Sequence, residues 1–109
     1  MVQQNIDKII SNYLTKNIVF SEENLLATKL SLLDTLGCIY NASTYEDPMR
    51  FATRGEYGSN TNPFLVINDM QSSKEITRYL SILTRWFDYN DTFLAKEWAH
   101  PSDNIGTAF

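Results

Sequence analysis

The densest group of side chains able to do acid–base chemistry lies between Asp88 and Asn104: Asp88, Asp91, Thr92, Lys96, Glu97, His100, Ser102, Asp103 and Asn104. They offer acids, one imidazole base, hydroxyls and donors, and a loop between two helices is a common place for such a site. A helix start at Pro101 could help to hold an anion. His100 is the only histidine. The same residues also read as solvated loop side chains and helix caps, and both readings stay open on residue types alone. Asp88 and Asp91 as a hard-cation pair match no calcium-loop spacing, and Asp or Asn in a turn commonly bonds the backbone instead. A Ser–His–Asp hydrolase is disfavoured, because Ser102 follows His100 closely and no nucleophile elbow surrounds it. Trp86 and Trp98 flank the segment and read as packing residues rather than as stacking platforms for bases.

Helices must position this segment. Ile6, Ile9, Ile10, Tyr13 and Leu14 share one stripe of a short amphipathic helix that ends near Asn17. Ser21 is an N-cap type, with Glu22 and Glu23 placed to complement a helix dipole. Behind it Leu25, Leu26, Leu30, Leu32, Leu33, Leu36 and Ile39 are apolar over more than half the circumference, so this helix is expected inside something larger. Gly37 reads as a close-packing residue or as part of the helix stop, and Cys38 as a small buried hydrophobe. From residue 41 to about 71 the helical spacing is lost, and Pro48, Gly55, Gly58 and Pro63 punctuate the run, so a long loop is expected, with a short strand at Phe64 to Ile67. Ser72 and Glu75 spell a capping box before Ile76, Tyr79, Leu80, Leu83, Trp86 and Phe87, a helix that should end near Asp88. Pro101, Ser102 and Asp103 look like the start of a further helix. The expected architecture is therefore all-α, with three to four helices and no internal repeat.

Composition narrows the function classes. The 109 residues fit one domain, and 43% hydrophobic with 13% aromatic content is ordinary for a folded globule. Nine Lys and Arg against 13 Asp and Glu give a formal charge of −4 without a basic run, so nucleic acid and anionic membrane surfaces are not expected partners. Cys38 is the only cysteine, which excludes an internal disulfide and a cysteine-built zinc or iron–sulfur site. No apolar run reaches the roughly 18 residues of a membrane span. A cytoplasmic setting is the expectation.

Two stretches carry a family likeness. Arg85 to Gly106, and within it Asp88, Asn90, Asp91, Thr92, Glu97, Trp98, His100, Pro101, Ser102, Asp103 and Asn104, resembles the signature segment of the MmgE/PrpD family. Leu32, Leu33, Asp34, Thr35, Leu36, Gly37 and Cys38 resemble a helix near the start of those proteins. The spacing from Thr92 to His100, with Glu97 and Trp98 inside it, is similar to the 2-methylcitrate-dehydrating branch rather than to the cis-aconitate decarboxylases. The resemblance implies a lyase with no metal or other cofactor, removing water from a small tricarboxylate, 2-methylcitrate, to give 2-methyl-cis-aconitate in propionate breakdown. It places Asp88, Thr92 and His100 at catalytic positions: His100 in proton transfer or carboxylate binding, Asp88 orienting or sharing that proton, Thr92 bonding substrate. Ser102, Asp103 and Asn104 are expected as caps first and substrate contacts second, and Lys96 as a further cation. The family is longer, with a second α+β domain, supplies more active-site side chains from beyond residue 109, and forms homodimers. A chain of this length is thus expected to be an N-terminal portion, inactive alone. Competing readings are a related family activity such as cis-aconitate decarboxylation, and a non-catalytic helical piece that associates through its leucine face, on which exposure of Leu25, Leu30, Leu33, Leu36 and Ile39 bears.

Overall fold

Polar caps and proline positions, more than the apolar pattern, decide where the helices of this chain begin. The computed structural model describes residues 2–108, with side-chain surroundings from residue 5 onward. Six helices follow in order: α1 (Val2–Thr15), α2 (Glu22–Ser43), α3 (Glu46–Ala52), α4 (Pro63–Val66), α5 (Ser73–Arg85) and α6 (Ile105–Ala108). Single 3-10 turns at Ile67–Asp69 and Pro101–Asn104 follow α4 and precede α6. The all-α expectation holds: among the described residues the only β pairing is one isolated antiparallel bridge between Phe93 and Ala99.

The two strongest start signals behave as read. Ser21 Oγ accepts from the Asn24 amide at 3.2 Å, and Ser72 Oγ accepts from the Glu75 amide at 3.2 Å. Glu75 reaches back to the Gln71 amide rather than to that of Ser72, so the box closes one residue early. The α2 helix runs past Gly37 and Ile39 to Ser43, and an added Cβ at Gly37 would meet nothing within 4 Å. Neither a helix stop nor close packing explains Gly37 among the described residues.

The expected long loop at 41–71 and the strand at Phe64–Ile67 are corrected by the structure. Residues 41–43 extend α2, while α3, α4 and the turn at Ile67–Asp69 occupy much of the rest. Pro48 lies in the first turn of α3, after Glu46 and Asp47, where backbone amides have no intrahelical partner. Asn62 caps α4 by accepting from the Phe64 amide at 3.0 Å, with Pro63 as the first helical residue. Both prolines therefore open helices rather than break them. The cap at Asn62 also overrides the β propensity of Val66 and Ile67.

The core forms where the C-terminal half of α2 meets α3, α4 and α5. Ile39, Ala42, Met49, Ala52, Val66, Tyr79, Leu80 and Leu83 make one buried cluster. Each of its larger side chains contributes about 1.5–3 kcal/mol by leaving water. The Tyr79 hydroxyl donates to the Pro63 carbonyl at 2.8 Å, joining α5 to the start of α4. The Arg78 guanidinium donates to the Ala52 and Phe51 carbonyls at 3.0 and 3.3 Å, satisfying the free end of α3.

Among the described residues the apolar faces of α1 and of the N-terminal half of α2 are largely exposed. Described side chains of α1 are exposed throughout, Leu14 at 74%. On α2 Leu25, Leu26, Leu30 and Leu33 are exposed, whereas Ile39 is fully buried and Leu36 is half-buried. The radius of gyration is 16.9 Å, against about 13 Å for a compact domain of about 100 residues. A principal axis of 50 Å accounts for the difference.

Candidate active site

Residues 86–100 leave α5 and cross to α2 before the turn at Pro101–Asn104 packs back against α2 and α5. The crossing starts with Asp88 at φ 56°, a left-handed turn position that Asp tolerates better than most side chains. Asp88 Oδ1 accepts from Arg85 at 2.8 Å, and its side chain is 74% exposed. Arg85 also donates to Asn90 Oδ1 at 2.7 Å, and Asn90 Nδ2 donates to Ser102 Oγ at 2.7 Å. Asn90 and Ser102 are both buried, so this chain ties the end of α5 to the Pro101–Asn104 turn.

Asp91 is the hub of the segment. Its Oδ2 accepts from the Ser31 hydroxyl at 2.6 Å and its Oδ1 from the Ser102 amide at 3.1 Å. Its own amide donates to Asp34 Oδ2 at 3.1 Å. Partial burial pushes the Asp91 carboxyl up, but the Ser102 and Ser31 hydrogen bonds, with His100 nearby, outweigh it and hold the group below its ordinary value. Asp91 is thereby the anion at the start of the Pro101–Asn104 turn. The donor there that the sequence suggested for a ligand is taken by the protein's own carboxylate, and Ser102 bonds Asn90 instead of acting as a side-chain cap.

The Asp91 carbonyl lies 2.6 Å from His100 Nδ1. A carbonyl oxygen only accepts, so Nδ1 carries the proton and Nε2 of the neutral ring keeps its lone pair. Thr92 Oγ1 lies 3.4 Å from the same nitrogen. The Trp98 ring meets the imidazole edge-on, with centroids 5.6 Å apart, and is otherwise 68% exposed, so it packs on His100 and not in the core. The bridge between Phe93 and Ala99, with amide-to-carbonyl bonds of 2.7 and 3.0 Å, closes residues 94–98 into a loop that brings Thr92 and His100 together.

Of the sequence-selected residues, the structure brings Thr92 to His100 and buries Ser102 against Asn90 and Asp91. No hydrogen bond links Asp88 to His100 among the described residues, and Lys96, Asp103 and Asn104 are exposed. Beside Asp91 and Thr92 a groove of about 820 Å³ opens, with Leu30, Ser31 and Asp34 of α2 on one wall and Ile105 of α6 on another. Ser31 and Asp34 were not singled out as site residues from sequence. Their signal is a polar line of Ser31, Asp34, Thr35 and Cys38 at offsets of 3, 4 and 7 within an otherwise leucine-rich helix. Among the described residues no group of three or more His, Cys, Asp or Glu side chains is placed to hold a metal ion. None of the described helices is long and apolar enough to cross a membrane.

Comparison with known proteins gives this arrangement a context. A probable 2-methylcitrate dehydratase of Saccharomyces cerevisiae is 32% identical over 108 residues, covering 94% of this chain and 21% of the relative. The 2-methylcitrate dehydratase of Escherichia coli is 35% identical over 83 residues, covering 69% of this chain and 16% of the relative. An alkylcitrate dehydratase from a fungus is 28% identical over 101 residues, covering 89% and 20%. The chain thus spans about a fifth of the length of the curated relatives it matches. No solved structure matches it significantly. The MmgE/PrpD N-terminal domain matches residues 8–109, a span that takes in α2 to α6 and both walls of the groove, and the chain belongs to the MmgE/PrpD family.

Proposed function

We propose that this chain supplies part of the active site of a dehydratase that converts 2-methylcitrate to 2-methyl-cis-aconitate, as the names of its relatives suggest. The observation that carries this reading is the His100 ring. With Nδ1–H committed to the Asp91 carbonyl, Nε2 is the free atom for proton transfer. Elimination of water needs a base for the C–H proton next to a carboxylate. The electron pair of the broken C–H bond forms the double bond, and the C–O bond breaks as an acid protonates the hydroxyl, which leaves as water. His100 Nε2 serves one of these transfers. Thr92 Oγ1, beside the ring, is a hydrogen-bonding group for the substrate.

The family resemblance also brings Asp88 to the site. Its carboxylate is held by Arg85, so a share in proton transfer requires that ion pair to open. The groove wall carries the carboxylates Asp34 and Asp91. A tricarboxylate therefore needs cations from elsewhere, and segments present in the longer relatives supply them in this reading. Ser102 supports the site by holding Asn90 and Asp91, the exposed Lys96 and Asn104 are donors for a substrate carboxylate, and Asp103, itself a carboxylate, accepts only from a substrate hydroxyl. No metal or other cofactor is assigned.

The uncovered leucine face of α2, with α1, supports burial against further polypeptide. We assign that cover to the family's remaining segments and to a homodimer of the full-length enzyme, in the cytoplasm. A helical interaction module without catalysis is the second reading, favoured by the same exposure. Incubating the native-length protein with 2-methylcitrate and following the ultraviolet absorbance of the conjugated product separates them. Product formation is expected, and a His100→Ala variant should form it at least roughly 100-fold more slowly. No product from citrate, 2-methylcitrate or longer alkylcitrates leaves the interaction module.

A further inference from the structure

The His100 imidazole, next to the groove residues Asp91 and Thr92, is not held by a carboxylate side chain, as its neighbours in the sequence would suggest. It is held by a backbone carbonyl, and the position of that carbonyl is fixed by everything else Asp91 does. Four hydrogen bonds meet at this residue. Ser31 and Ser102 grip the two carboxylate oxygens, Asp34 takes the amide proton, and His100 Nδ1 gives its proton to the carbonyl. The first and third come from α2, the second from the Pro101–Asn104 turn, so Asp91 joins two elements distant in sequence at one residue. Asp88, the other aspartate of the segment, faces solvent beside Arg85.

We propose that Asp91 is the positioning residue of this site: its carboxylate, clamped between Ser31 and Ser102, fixes the carbonyl that selects the Nδ1–H tautomer of His100 and leaves Nε2 free to exchange a proton with substrate. Ser31 and Asp34 are its partners on α2. A backbone acceptor suits the task, because a carbonyl accepts a proton but cannot donate one, so the neutral ring has a single tautomer that satisfies it. A side-chain carboxylate at the same place would also stabilise the charged ring. An orienting partner that acts through a histidine in this way has large effects elsewhere, with losses of roughly 10- to 100-fold when such partners of metal-bound histidines are removed.

This inference rests on the proposed dehydration only for its effect on rate, and the tautomer can be read without turnover. Ring-nitrogen NMR on ¹⁵N-histidine protein reports which nitrogen is protonated, and His100 is the sole histidine of this sequence. In the wild type at a pH where the ring is neutral, Nδ1 should show the protonated signature and Nε2 the lone-pair signature. Asp91→Ala should shift the ring towards the Nε2–H form that unrestrained imidazoles favour. Ser31→Ala, which leaves the carboxylate and its Ser102 bond in place, should give a smaller shift in the same direction. Asp91→Glu, which restores a carboxylate, should recover part of the wild-type pattern. A wild-type ring protonated at Nε2 overturns the proposal, and so does a folded Asp91→Ala protein with an unchanged tautomer. Should Asp91→Ala not fold, Ser31→Ala decides, since no shift there removes the clamp. In native-length protein that turns over 2-methylcitrate, Asp91→Ala should lower kcat by roughly 10- to 100-fold with little change in KM. The expected tautomer pattern without turnover leaves the positioning role standing and refutes the dehydratase reading. Turnover with an unchanged kcat in Asp91→Ala does the reverse.

Discussion

The same substitution, Gly to Ala, should have opposite effects at two helical glycines of this chain. An alanine raises helix stability by about 0.5–1 kcal/mol over glycine wherever its methyl group has room. At Gly37, within α2, an added Cβ meets nothing within 4 Å. At Gly106, in α6, it would lie 2.7 Å from Ser81 Oγ and 3.3 Å from the Thr77 carbonyl, both on α5. The hydroxyl can turn away, but the carbonyl belongs to helix backbone and moves only with α5 or α6. Overpacking of this kind costs about 1–3 kcal/mol. Because α6 is short, little helix propensity offsets that cost, and a net loss of about 1 kcal/mol is expected for Gly106→Ala. Urea unfolding measures both, and with a typical slope each change moves the midpoint by about 0.5 M, upward for Gly37→Ala and downward for Gly106→Ala. Ser81→Ala alone should be near neutral, and combined with Gly106→Ala it should recover part of the loss, because it removes the nearer of the two obstacles. Midpoints that move in the same direction for both glycines, or a Gly106→Ala loss that Ser81→Ala does not relieve, would refute the packing of α6 on α5 as described. The test bears on the site, since α6 continues directly from the turn that carries Ser102.

Other expectations follow from single contacts. Tyr79→Phe leaves the Pro63 carbonyl without the hydroxyl that donates to it, and a buried unpaired carbonyl costs about 1–3 kcal/mol, readable as a lower urea midpoint. Ser72→Ala removes the N-cap of α5 and should cost about 1 kcal/mol by the same measurement. Asp91 has its folded-state pKa depressed below the ordinary 3.8, so the stability it confers is present above that value and is lost as the pH falls through the folded value. Acid titration of unfolding should therefore show a step below about pH 4 that Asp91→Asn removes. Burial, with Asp34 and Asp91 nearby, pushes the Cys38 thiol up, so it should react with maleimide at neutral pH only when urea unfolds the chain.

How much of this could be read in the sequence differs from element to element. Ser21 and Ser72 announced α2 and α5 because an N-cap is a local matter, settled by one side chain and an amide three residues on. The prolines misled for a local reason too. Pro48 and Pro63 break a helix at its interior but fit its first turn, and only the acidic pair Glu46 and Asp47 and the cap Asn62 tell these cases apart. The exposure of Leu25, Leu30 and Leu33 was legible, since the three or four short helices expected cannot cover the whole leucine face, although Ile39 is buried. At the site, the resemblance selected Thr92 and His100 individually, and their contact follows from the hairpin-like bridge at Phe93 and Ala99. The central place of Asp91 was not legible. It depends on Ser31 and Asp34, which lie 60 and 57 positions away and reach the segment only after α2 and α5 have packed.

In the proposed function His100 exchanges a proton with a citrate-type substrate. The most direct measurement is the rate of 2-methylcitrate dehydration by native-length protein with and without His100→Ala. Turnover by the wild type and a loss of at least roughly 100-fold in kcat for the variant, the usual size of a general acid–base contribution, are expected. Equal rates for the two proteins, or a wild type that dehydrates no alkyl-substituted citrate, would contradict it.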